Sequence, residues 1–383
     1  MKTYQELFQE KIRDLKLKNL YRSPKKNPKK TPKKNPKKPQ KELLNFCSND
    51  YLNLSTNKAV KKAAIQAIEK FGIGAKASRY VFDENGLAEK LEKKLANLKN
   101  QDDAIVLGSG YLTNVGVVSA LVSKNDFIVA DKLIHSSLID GARLSGAKLI
   151  RFKHNNIEDC QRILNEILRD NPEKKILVIT ETVFSMDGDL GKIDELLKLA
   201  KKYNCLFLSD DAHGLGIIKK KYENYDFHLQ CGTLSKAAGS YGGYASGSNL
   251  MIDYLRNQTK PAIYSTALPA SVLAASLKAV EIIEKDGELG AHSKGEKALR
   301  NAEYFCELMN LSKPQSTIVP IIIGDSSKTL EISKKLKKAG FLISAIRPPT
   351  VEIGKARLRI TFCSSHKKSE IKELIETINV SKN

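Results

Sequence analysis

Between residues 103 and 210, short apolar runs alternate with amphipathic stretches, and this alternation restricts the fold more than any other feature of the chain. The runs at 104–107, 127–130, 148–152, 175–180 and 205–209 are too short for helices and carry few polar residues. Such runs suit strands that are buried on both faces. Helical patterns fill the gaps, from Gly110 to about Val122 and over 136–144, 157–169 and 192–202. Strands that alternate with helices predict an α/β fold, with a mostly parallel sheet and helices on both faces. Helices are also expected over 3–20, 57–70, 87–99 and 270–285. The last third changes character, with strands near 318–323, 341–346 and 357–362 and helices at 328–339 and 368–378, which reads as a smaller C-terminal α+β unit. A chain of 383 residues is long enough to divide. The expected divisions are an N-terminal segment 1–44, a large domain 45–275 and a small domain 276–383.

In open α/β sheets, ligands bind beyond the carboxyl ends of the strands. The run at 205–209 leads directly into Asp210, Asp211, Ala212, His213 and Gly214. Further on, Lys236 stands in T-L-S-K-A-A-G among small residues. Taken singly, the first string is a strand-ending turn with a hydrogen-bonded histidine, and the second a surface lysine. Together, at strand ends, they supply what a pyridoxal phosphate site requires. That site needs an amine whose pKa burial can depress, an acid for the pyridinium nitrogen and an aromatic group over the ring. Other strand ends carry matching residues. Ser109, Gly110 and Tyr111 open a helix whose free N–H groups suit a phosphate. His135 follows the run at 127–130 and is placed for ring stacking, a structural histidine being the alternative. Ser185 and Thr233 can hydrogen-bond a cofactor, and Arg359, in A-R-L-R-I-T, is a candidate carboxylate clamp or else an arginine on an edge strand.

The formal net charge of +21 invites a nucleic-acid reading. Lysine is spread along the whole chain, however, without zinc spacing, a helix-turn-helix signature or an aromatic RNA-binding motif. The charge therefore reads as a solvated surface that also attracts anionic substrates. One stretch is distinctive: P-K-K-N-P-K-K-T-P-K-K-N-P-K-K-P at 24–39, a proline-rich basic repeat expected to be extended and mobile. It reads as a tolerated low-complexity insertion in a surface loop, the alternatives being nucleic-acid binding, membrane-surface binding or a flap that attracts a charged substrate. The six cysteines form no C-x-x-C pair and read as reduced, core-filling thiols, and no metal-ligand spacing is present. No apolar run reaches membrane-spanning length and no signal peptide opens the chain, so a cytoplasmic location is expected.

Eight blocks in one order carry a resemblance: S-N-D-Y-L, S-G-Y, D-x-L-x-H-x-S-L, T-E-T-V-F-S-M-D-G-D, D-D-A-H-G, T-L-S-K, Y-S-T-A-L-P and A-R-L-R-I-T. From about Asn45 onward, the chain resembles the α-oxoamine synthases, fold-type I pyridoxal phosphate transferases that join an amino acid to an acyl-CoA. A-I-R-P-P-T-V at 345–351 and H-N-N at 154–156 resemble the biotin-pathway branch. That implies decarboxylative condensation of L-alanine with a pimeloyl thioester, on CoA or on an acyl carrier protein. A sister enzyme that takes glycine and another acyl-CoA is the alternative, and nucleic-acid binding through the 24–39 tract is an alternative of another class. The resemblance implies that Lys236 forms the imine and moves the proton, that Asp210 pairs with the ring nitrogen and that His135 stacks on the ring. It places Gly110, Tyr111, Ser185, His213 and Thr233 around the cofactor, Asn49 and Arg359 at the amino-acid carboxylate, and Arg22 and Thr350 at the acyl substrate. Ser265 and Thr266 would reach the phosphate held by a neighbouring subunit, which implies a homodimer with shared sites.

Overall fold

The computed structural model describes residues 2–18, 20–22 and 43–382; the Lys/Pro tract lies outside the described residues. The first helix, Tyr4–Leu17, starts at a capping box in which Thr3 and Glu6 satisfy each other's backbone N–H groups. None of its residues is buried, and Tyr4, Phe8 and Leu17 face solvent.

The strands are β1 (Leu44–Asn45), β2 (Asp103–Leu107), β3 (Phe127–Asp131), β4 (Lys148–Phe152), β5 (Ile176–Glu181), β6 (Leu206–Asp210), β7 (His228–Thr233), β8 (Gly243–Gly247), β9 (Ile318–Gly324), β10 (Phe341–Leu342), β11 (Ser344–Ile346) and β12 (Ala356–Thr361). Seven of them form one sheet in the order β2-β8-β7-β6-β5-β3-β4. Only β8 runs against its neighbours, so the sheet is the mostly parallel one that the patterning predicts. Successive residues of a strand face opposite sides, and here both sides are apolar. Leu177, Ile179 and Leu208 pack under the helices Gly110–Leu121, Ser136–Ser145 and Asn249–Gln258. Val178 and Phe207 pack under Ile157–Asp170 and Ile193–Lys202.

The sequence pattern marks neither β7, where H-L-Q-C-G-T mixes polar and small residues, nor β8, because G-Y-A-S-G contains no apolar run. Small residues are what the position of β8 demands. A Cβ on Gly243 would lie 2.3 Å from Thr113 Oγ1, and one on Gly232 would lie 2.5 Å from Tyr244 Cζ. The helices Asn249–Gln258 and Lys294–Leu308 also lie outside the segments marked by the patterning.

A three-stranded antiparallel sheet, β11-β12-β9, forms the second layer. Its core joins Leu358, Ile360 and Phe362 to Phe305, Leu336 and Leu374 from the flanking helices. The strand expected over 341–346 is two strands. The chain changes partner at the buried Ile343: β10 pairs with β1 and β11 pairs with β12.

The stretch from β1 to Ser55 stitches the two sheets together. Phe46 O accepts the Thr361 N–H (2.9 Å), and Tyr51 O accepts the Ser364 N–H (2.8 Å). At its far end, Asp50 accepts the N–H groups of Leu54 and Ser55, and Gly239 packs against this turn. Gly239 has φ +60°, and a Cβ there would lie 2.2 Å from Ser55 N. Gly239→Ala is therefore expected to cost about 2–4 kcal/mol, from left-handed strain plus overpacking, read as a lower urea midpoint.

Candidate active site

Asp210 is the last residue of β6 and is 4% exposed. Its Oδ2 accepts a hydrogen bond from Asn114 Nδ2 (2.6 Å) and its Oδ1 accepts the Ala212 N–H (2.8 Å). Neither donor is charged, so the carboxylate keeps its demand for a cation. The adjacent Asp211 is neutralised by the Lys99 ammonium. Of the two acids in D-D-A-H-G, Asp210 is thus the one available to a ligand.

Lys236 follows β7 in a turn closed by Leu234 N–H to Gly242 O (3.0 Å) and Gly239 N–H to Lys236 O (2.8 Å). Its Nζ lies 2.7 Å from His213 Nε2, and His213 Nδ1 meets the Tyr51 hydroxyl. Burial lowers the Lys236 pKa to about 8, against the pull of the Asp210 and Glu181 carboxylates. Burial, reinforced by Lys236, pushes His213 well below its ordinary value, so it is neutral. Tyr51 is also held neutral by burial, and Asn49 Oδ1 lies 3.3 Å from its hydroxyl. The row can therefore run in two directions. With a charged lysine, Nζ–H donates to His213, His213 to Tyr51 and Tyr51 to Asn49. With a neutral lysine, Tyr51 donates to His213 and His213 to the amine.

His135 caps the helix Ser136–Ser145. Its Nδ1 accepts the Ser137 N–H (3.2 Å), leaving the exposed ring in the crevice. Desolvation by its surroundings lowers its pKa despite the nearby Asp210. Ser137 Oγ in turn accepts from Asn114 (2.9 Å), so His135 and Asp210 share one network. The Glu181 carboxylate accepts the His135 N–H (2.5 Å), and burial and Asp210 push its pKa well up.

The start of the helix Gly110–Leu121 lies against Thr233. A Cβ on Gly110 would lie 2.9 Å from Thr233 Cβ, so only glycine fits. Ser109 Oγ accepts the Leu112 N–H there, and Tyr111 donates its hydroxyl to Asp140 (2.6 Å). Arg359 enters from β12. Its Nε donates to Ser185 O (2.5 Å), and its first terminal nitrogen donates to Asn49 Oδ1 (3.1 Å) and Thr361 Oγ1 (3.0 Å). Its second terminal nitrogen is buried with no partner among the described residues. An unpaired buried donor is costly, and here it is a position ready for a carboxylate. Arg22 donates to Thr350 Oγ1 (2.7 Å), and Thr350 shares a hollow with Ser185. Ser265 and Thr266 are not brought to Lys236 within one chain; they line a separate hollow with Arg79, Tyr80 and Gly108.

The donor set fits pyridoxal phosphate. It holds an amine of depressed pKa for an aldehyde, a carboxylate lacking a cation for a ring N–H, and a glycine-floored helix start for a phosphate.

A family profile for class I and II aminotransferases matches residues 41–378. The chain belongs to that family. An 8-amino-7-oxononanoate synthase from Maricaulis maris is 43% identical over 343 residues, covering 88% of this chain and 86% of that protein. The solved 8-amino-7-oxononanoate synthase of Francisella tularensis superposes with TM-score 0.70 at 28% identity, covering 88% of this chain and 97% of that one. Serine palmitoyltransferase from S. paucimobilis, with a bound PLP–myriocin adduct, gives TM-score 0.80 at 25% identity over 88% of this chain and 87% of that one.

Sequence reasoning does not single out Tyr51, Asn114 or Glu181 in this aminotransferase-family crevice. Tyr51 could have been found, since it lies inside S-N-D-Y-L and its polar tip needs a partner when buried. Lys236 is expected to attack small aldehydes at a rate that rises with pH and levels off above about 8. An unshifted lysine would level off above about 10. Reductive labelling of Lys236 across pH 6–11, read by mass spectrometry, measures this.

Proposed function

We propose that this protein is a pyridoxal phosphate-dependent acyltransferase. It condenses L-alanine with a pimeloyl thioester to give 8-amino-7-oxononanoate, carbon dioxide and the free thiol, a step of biotin biosynthesis. One observation carries the reading. The Lys236 amine lies within electrostatic reach of the Asp210 carboxylate and of the Arg359 guanidinium, whose second terminal nitrogen has no partner among the described residues, in a chain 43% identical to a synthase of that name. Held by Lys236 until the alanine amine displaces it and frees the Lys236 amine, the cofactor would supply a sink for the electrons released at the alanine Cα.

The chain's own residues do the rest. Asp210, hydrogen-bonded by Asn114 and the Ala212 N–H, holds the proton on the ring nitrogen. His135 covers the ring, with Ser185 and His213 beside it, and Gly110, Tyr111 and Thr233 line the phosphate end. Arg359 and Asn49 grip the alanine carboxylate and so aim the Cα–H bond at Lys236. Lys236 Nζ removes that proton, and the His213–Tyr51 row reverses to accept the new charge. Cα then forms its bond to the acyl carbon while the C–S bond breaks, and the sulfur leaves as the thiol. The carboxylate departs as carbon dioxide, and Lys236 returns a proton to Cα. Arg22 and Thr350 contact the acyl chain. Ser265 and Thr266, which sit away from Lys236 in their own chain, serve the site of a second subunit, so the working unit is a homodimer. We assign the crevice to the boundary between domains 45–275 and 276–383. We assign the protein to the cytoplasm; among the described residues no helix is long and apolar enough to cross a membrane.

Assays of alanine, glycine and serine against pimeloyl-CoA, pimeloyl-acyl carrier protein and acetyl-CoA, followed by carbon dioxide and thiol release, test the reading. Alanine with a pimeloyl thioester is expected to turn over fastest; preference for glycine with acetyl-CoA would overturn the assignment. Lys236→Ala is expected to lower turnover by at least about a thousandfold and to abolish the visible absorbance of the holoenzyme. Arg359→Lys is expected to raise the KM for alanine by about 10–100-fold, because a point charge replaces a forked donor.

A further inference from the structure

One charged cluster beside the crevice has no part in the proposed reaction. His154 follows β4, with its Nδ1 3.0 and 3.1 Å from the two Asp131 carboxylate oxygens and its Nε2 2.7 Å from Asp189 Oδ2. A ring with a carboxylate on each nitrogen must carry a proton on each, so His154 is an imidazolium. Burial would lower its pKa, but the hydrogen bonds to Asp131 and Asp189 outweigh that and raise it to about 10. Asp131 is fully buried at the end of β3 and also accepts the N–H groups of Leu133 and Asn155, both at 2.8 Å. Asn155 has φ +51°, a left-handed conformation that asparagine tolerates. Its side chain donates to Asp189 Oδ2 (3.0 Å) and Leu190 O (2.9 Å).

Asp189 and Leu190 form the root of a small hairpin that starts at Val183. Val183 bridges to Leu190, and the Phe184 N–H donates to Asp189 O (3.0 Å). The Phe184 ring stands perpendicular to His154 at 4.5 Å. The tip of the hairpin is held separately: Arg357 donates to Met186 O and Asp187, and Ser316 donates to Gly188 O. Ser185 lies between root and tip, and its carbonyl accepts the Arg359 Nε–H. A shift of the root therefore moves the acceptor that fixes the plane of the Arg359 guanidinium.

We propose that His154, bridging Asp131 and Asp189, is a positioning residue that seats the 183–190 hairpin and, through the Ser185 carbonyl, orients Arg359 for the amino-acid carboxylate. This rests on the assignment of Arg359 made above. Its specific consequence is that loss of the bridge weakens amino-acid binding far more than thioester binding, since Thr350 shares a hollow with the hairpin but hydrogen-bonds to Arg22 and the Arg347 carbonyl instead.

The test uses the holoenzyme with His154→Gln and, separately, Asp189→Asn, which removes one carboxylate without stranding a buried charge. L-Alanine is titrated by the change in visible absorbance, and the thioester by steady-state kinetics. Amide exchange over 183–190 is followed in both variants and the wild type. The expected result is an alanine Kd raised about tenfold, a thioester KM within about twofold of wild type and faster exchange in the hairpin. An alanine Kd within about twofold of wild type, or equal weakening of both substrates, overturns the proposal. If His154→Gln does not fold, Asp189→Asn decides on the same criteria. If the wild type prefers another amino acid, the functional reading falls while the same comparison, made with that amino acid, still judges the hairpin. If it binds none, both fall.

Discussion

Burying the Asp210 carboxylate costs several kcal/mol of lost hydration, and much of the crevice is arranged around that cost. Asn114 and the Ala212 N–H meet its two oxygens, Ser137 ties Asn114 to His135, and Lys99 removes the competing charge of Asp211. None of these contacts gives Asp210 a cation of its own. The site is therefore complete only when a positively charged group sits over the carboxylate. Burial likewise presses the Lys236 amine toward its neutral form.

How far the sequence discloses this depends on what kind of signal each part leaves. The strands β3, β5 and β6 are legible because each is apolar on both faces, a pattern that a doubly covered sheet produces and few others do. Lys236, Asp210, His213 and His135 are legible because their chemistry is scarce and they follow strands. β8 is not, because close approach of the Gly110 helix demands small residues there, and small residues look like a loop. Arg359 leaves a misleading trace. An arginine in a strand suggests an edge, yet β12 is the middle strand of its sheet and the side chain is 4% exposed, held by Ser185, Asn49 and Thr361 from two layers. Asn114 and Glu181 leave almost none, since each matters only through a partner distant in sequence.

The partition of charge follows the same logic. The lysine ion pairs are mostly exposed and of little energetic weight, such as Lys93 with Glu89 and Lys132 with Glu352. Three cations held largely out of solvent, Arg359, Lys99 and Lys236, instead contact Ser185, Asp211 and His213. A net charge of +21 therefore says little about the reaction, whereas the placement of three side chains says a great deal.

The stretch from β1 to Ser55 is bonded to the small sheet through Phe46 and the Tyr51 carbonyl, and to the Lys236 turn through Gly239. The same Tyr51 hands its hydroxyl to His213. Rocking of one sheet on the other thus pulls on a lever whose short arm ends at the imidazole beside the reactive amine. In this architecture, any shift between the two sheets is felt at the Lys236 amine through Tyr51 and His213.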